Sequence, residues 1–100
     1  MEEKKEVVPE GTAWTMILPL DRNGKQAKFY LKEMDLDLFA GLQKLIDEGK
    51  FTLVITTCIS ALRIGGDELS VIKGNFFAMQ TADKLIRQML EPLPGELKKN

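Results

Sequence analysis

The sequence predicts an α+β domain, an N-terminal β-hairpin packed on about three α-helices. Three observations carry this. An Asn23-Gly24 pair lies between two strand-like runs, TAWTMILPL and QAKFYLK. Apolar residues recur at helical spacing from Leu38 to Ile46 and again from Ala78 to Met89. A chain of 100 residues has room for one domain and one core.

The elements follow in order. Residues 1–11 are rich in charge and close with Pro9 and Gly11, which predicts a mobile tail ahead of a domain over 12–94. In the second hairpin strand Ala27, Phe29 and Leu31 alternate with Lys28, Tyr30 and Lys32, so the first three share the core face. Asn and Gly both tolerate positive φ, which predicts a tight turn at Asn23-Gly24. Pro19 has no N–H to give a ladder, so the first strand belongs at an edge or a bulge. An isolated hairpin is marginal in water. Trp14, Phe29 and the first helical stripe are expected to hold it to the helices.

Asp35 or Asp37 can cap the first helix, whose stripe is Leu38, Phe39, Leu42, Leu45 and Ile46. Gly49 stops it. The run FTLVITTCISALRI has strand-like β-branching but helix-like length, and the length decides for a helix over 52–64. Thr52 is its expected cap and Gly65-Gly66 its expected end. It is apolar on most sides, hence central. After the loop GGDELSVIKG, Asn75 caps a last helix with a buried stripe of Ala78, Ala82, Leu85, Ile86 and Met89. Phe76, Met79 and Leu90 lie beside that stripe. Pro92 and Pro94 end the helix, and residues 95–100 form a polar tail.

Composition narrows the function classes. Fourteen Lys and Arg against fifteen Asp and Glu leave no basic excess for nucleic acid. No apolar run is long enough to span a membrane, and no secretion signal precedes the domain, so the expected location is the cytoplasm. The chain has no histidine, which removes Ser-His-Asp and Cys-His catalysis and histidine metal sites. Cys58 is the one cysteine, set in an apolar run, and is expected to pack as a small hydrophobe. No catalytic residue, no metal site and no cofactor is expected.

One motif points the other way. The stretch LRIGGDEL resembles the signature strand-turn-strand of the cyclic di-GMP synthases, and MDLDLF upstream echoes their metal-binding aspartate strand. Two glycines admit close approach of a nucleotide, and paired carboxylates can hold magnesium beside phosphates. Arg63, Gly65, Gly66, Asp67 and Glu68 are therefore the candidate interaction residues of the loop. Against an intact cyclase stand Leu69 in place of phenylalanine and the 31 residues that follow it, too few to complete that family's sheet and pocket.

A second likeness covers residues 26–100. KFYLK, a helix, a central helix ending in a Gly66-Asp67-Glu68 loop, a last helix and the ending Glu96-Leu97-Lys98-Lys99 together resemble small bacteriophage or prophage proteins of Bacteroides-type bacteria, similar to tail assembly chaperones. Those proteins often carry a cysteine-tryptophan pair just before the loop. Here Leu62, Arg63 and Ile64 stand there. The resemblance implies a non-catalytic, protein-binding role, either holding a phage tail protein as partner during assembly or forming a small structural component. Edge strands and helix grooves are the surfaces such a domain offers. A nucleotide- or metal-binding domain built on RIGGDEL is the alternative.

Overall fold

The structure is a computed structural model, and it describes residues 8–91. The order is β1 (Trp14–Pro19), β2 (Gln26–Leu31), α1 (Leu36–Asp47), α2 (Phe51–Leu62), β3 (Arg63–Gly66), a 3-10 turn over Leu69–Val71, and α3 (Phe76–Leu90). The fold is α+β, a three-stranded antiparallel sheet with helices packed on one face. The helix stops at Pro92 and Pro94, the tail over 95–100 and the first seven residues of the N-terminal tail lie outside the described residues.

β1 and β2 pair in register from Trp14↔Leu31 to Pro19↔Gln26. The alternation in β2 works as the sequence demands: Ala27, Phe29 and Leu31 are fully buried on the core face. They share one core cluster with Met16 and Leu18 of β1, Leu62 of α2 and Ile86 of α3. Pro19 closes an edge strand, as its missing donor requires.

The hairpin loop is longer than a two-residue turn. Only Gly24 takes positive φ, at 94°, while Asn23 does not. The carboxylate of Asp21 organises the loop by accepting the N–H groups of Asn23 at 2.9 Å and Lys25 at 3.1 Å. An Asx-type turn takes the place of the expected Asn-Gly turn. The sequence also gives no hint that Asn75 reaches back to this hairpin. Its Oδ1 caps α3 through the Ala78 N–H at 3.0 Å, while its Nδ2 donates to the Leu20 carbonyl at 2.9 Å.

The run FTLVITTCISALRI divides. It is helical to Leu62, and Arg63 then turns extended with ψ of 126°. The expected helix through residue 64 is therefore two residues too long, and Gly65-Gly66 do not end it. The unfilled edge of β2 ends it instead, because Lys32 N–H donates to the Leu62 carbonyl at 2.9 Å and β3 begins at once. Thr52 is not the cap either. That position falls to Lys50, which makes no side-chain cap bond. α2 is central, packed against α1, α3 and β2. Its inner face buries Val54, Ile55, Cys58, Ile59 and Leu62, and burial pushes the Cys58 thiol up to about 11.

α1 is capped by Asp35, whose carboxylate accepts the Leu38 N–H at 2.8 Å. Of its expected stripe only Leu42 is fully buried, and Leu38, Phe39, Leu45 and Ile46 are half-buried. α1 thus packs on α2 at the margin of the core.

Candidate functional site

The five residues singled out in the loop fall on β3 and the turn after it, where most of them face the protein's own backbone. Gly66 has φ of 91°, and a Cβ there would lie 2.3 Å from the Lys28 carbonyl oxygen. Glycine is required because β3 and β2 approach so closely. A Cβ on Gly65 would lie 2.6 Å from Cγ of Pro9 and 3.5 Å from Cδ2 of Tyr30, so Pro9 and Tyr30 close over this glycine. Residues Pro9 to Thr12 form a turn against the sheet, with the Thr12 N–H and hydroxyl both directed to the Pro9 carbonyl.

Asp67 continues the ladder past the end of β3. Its N–H donates to the Lys28 carbonyl at 2.8 Å, and its carboxylate accepts the Lys28 N–H at 2.7 Å. Arg63 fastens the same turn. Its Nε donates to the Asp67 carbonyl at 2.6 Å and its terminal nitrogen to the Gly66 carbonyl at 3.1 Å. A bulge at Ile64 makes this possible, since Tyr30 pairs with Gly65 and Leu31 with Arg63. Glu68 stays exposed and makes no cap bond to the 3-10 turn that follows. Arg63, Gly65, Gly66 and Asp67 are thus brought together as a clasp on β2. Asp35 and Asp37 belong to the start of α1, and Asp35 is its cap. Among the described residues no cluster of three His, Cys, Asp or Glu side chains forms a metal-ligand group.

A different surface collects exposed apolar groups. Trp14, expected to hold the hairpin to the helices, lies beside Phe39, Leu85 and Met89 but is 43% exposed. It stands between two hollows that share Met89 of α3. One, of about 330 Å³, is lined by Trp14, Met34, Leu36, Phe39 and Met89, with Glu33 and Asp35 as its charged lining. The other, of about 80 Å³, is lined by Trp14, Thr15, Met16, Leu85, Gln88 and Met89. Neither has a Lys or Arg in its lining. Leu36, just inside the α1 cap, is 78% exposed.

Trp14 has the parity of the buried Met16 and Leu18, so its local pattern does not mark it as exposed. The available signal was position: Trp14 opens an edge strand, where the sheet gives it a neighbour on one side only. Phe76, expected beside the buried stripe, is exposed at the start of α3 with Phe77, and Arg22 lies 5.6 Å over the Phe77 ring.

The fold and the two surfaces define a small α+β domain with a self-clasped sheet and an apolar, acid-lined groove. No protein-family model matches the chain, no curated protein matches it, and no solved structure matches it. Among the described residues no helix is long and apolar enough to cross a membrane.

Proposed function

We propose that this is a non-catalytic protein-interaction domain that docks on its partner through the surface around Trp14. The exposure of the chain's one tryptophan, set between two apolar hollows, carries this reading. Tryptophan is enriched among the residues that dominate protein interfaces, because it adds large apolar area at little entropic cost. Sequence likeness to tail assembly chaperones supplies the setting, a cytoplasmic helper that holds a phage tail protein during assembly. The non-catalytic half of the reading is supported by the clasp. Arg63 and Asp67 make internal hydrogen bonds that a nucleotide or cation would have to compete for.

A photo-crosslinking residue placed singly at positions 14, 36 and 68 tests this in the cells that make the protein. Positions 14 and 36 are expected to give the same discrete protein adduct, and position 68 none. Adducts from position 68 alone would overturn the reading.

A further inference from the structure

β1 is an edge strand, and the direction of its backbone groups is fixed by its neighbours. The Leu20 N–H donates to the Lys25 carbonyl at 2.8 Å, and that pairing continues the β1–β2 register. Pairs alternate between hydrogen-bonded and non-bonded along an antiparallel ladder. Trp14, Met16 and Leu18 therefore direct their N–H and C=O groups at β2. Thr15 and Ile17 direct theirs away from the sheet. Pro19 has no N–H and ends the edge. Two full donor–acceptor pairs thus lie next to the smaller hollow, which Thr15 helps to line. Ile17 is itself 42% exposed.

We propose that an extended segment of a partner protein adds antiparallel to β1, sets an apolar side chain against Trp14, and places a following Lys or Arg beside Glu33 and Asp35. This rests on the interaction reading above and adds the partner's chemistry. Side chains of the added strand that lie opposite Thr15 and Ile17 share the outer face of the sheet. The residue between them falls on the core side, where Trp14, Leu85 and Met89 line the hollow. An antiparallel segment runs from the Pro19 end toward Trp14. Its C-terminal end arrives at the larger hollow, whose only charged linings are the two acids. Strand addition takes affinity from backbone bonds and specificity from such side-chain pockets. The acids select a basic partner by charge complementarity. A second copy in this place would bring its own Asp21 and Arg22 together toward Glu33 and Asp35, a pair with no net charge for the acids to select.

The probe is a peptide, acetyl-Leu-Thr-Leu-Thr-Leu-Lys-Lys-amide, titrated into the full chain while Trp14 emission is followed. As the only tryptophan, Trp14 reports without labelling. A saturable blue shift is expected. Replacing both Lys by Glu in the peptide is expected to weaken binding by about tenfold or more. N-methylation of the peptide's Thr amides, which face β1, is expected to abolish binding. N-methylation of its Leu amides, which face away, is expected to leave it within about threefold, since those amides make no bond to β1. No saturable shift, equal binding of the Glu peptide, or equal effects of the two methylations would each overturn the proposal. So would two other results. An emission change on removing residues 92–100 alone would make the chain's own end the occupant. A dimer in sedimentation that the peptide dissociates would make it a second copy. Peptide failure alongside a protein adduct at position 14 would overturn this partner chemistry alone. Failure of both would overturn the interaction reading as well.

Discussion

Asp67 pairs with Lys28 from both ends of its own residue: its N–H gives to the Lys28 carbonyl at 2.8 Å and its carboxylate takes the Lys28 N–H at 2.7 Å. The carboxylate stands where the next strand carbonyl would be. β3 is short, and this side chain extends its grip on β2 by one bond pair.

Asp67→Ala is expected to lower stability by about 1–2 kcal/mol, because a charge-assisted hydrogen bond is lost and a strand amide loses its partner. Glu68→Ala, one residue on and exposed, is expected to change it by less than about 0.5 kcal/mol. Urea unfolding of the two variants checks this. Equal effects would mean that Asp67 contributes nothing through Lys28.

The two glycines are predicted to differ. Gly66→Ala combines positive φ with a clash against the Lys28 carbonyl, so a loss of about 3 kcal/mol or more is expected. Gly65→Ala meets only the Pro9 ring at this distance, and the residue 9–12 turn can lift away. Its cost is expected to be about 1 kcal/mol, the lower part of the range for single substitutions. Combining it with Pro9→Gly is expected to cost less than the sum of the two single changes, as contacting residues are non-additive.

Phe29 is fully buried on the core face of β2, and Phe29→Ala is expected to cost about 3–5 kcal/mol through lost burial and a residual cavity. Thermal unfolding followed by circular dichroism measures it. A shift within error would mean that the sheet does not rest on the helices as described.

Cys58 sets a pH dependence. Its thiol is raised by burial from 9.0 to about 11. The unfolded chain therefore loses this proton first. The stabilisation is complete below pH 9 and is lost as pH rises toward 11, because ionisation then favours the unfolded state. Wild type is expected to lose more stability than Cys58→Ala between pH 9 and 11 in matched urea titrations. Parallel losses would remove Cys58 as the cause. Thiol labelling at neutral pH is expected to follow the rate of unfolding.

The parts of the fold that the sequence made legible are those with long periodic patterns. Ala27, Phe29 and Leu31 announced a buried strand face, and Ala78, Ala82 and Ile86 announced a buried helix face. β3 was illegible because four residues with two glycines and a bulge carry no alternation. The role of Arg63 and Asp67 was hidden for another reason. Asp67 meets Lys28 across 39 positions of chain, and no local spacing encodes that meeting. Short carboxylate-and-glycine motifs read the same whether they cradle a ligand or a neighbouring strand. The exposure of Trp14 was hidden because an apolar run such as TAWTMILPL announces a strand, not what covers each of its residues.

The clasp and the Trp14 surface can be followed together in one experiment, an amide correlation spectrum of the nitrogen-labelled full chain. The Leu-Thr-Leu-Thr-Leu-Lys-Lys peptide is predicted to move the Trp14 indole and the Thr15 and Ile17 amides. GTP with magnesium is predicted to leave the Gly65, Gly66 and Asp67 amides in place. Saturable movement of those three amides with GTP and magnesium, and a Trp14 indole unmoved by peptide, would contradict the account.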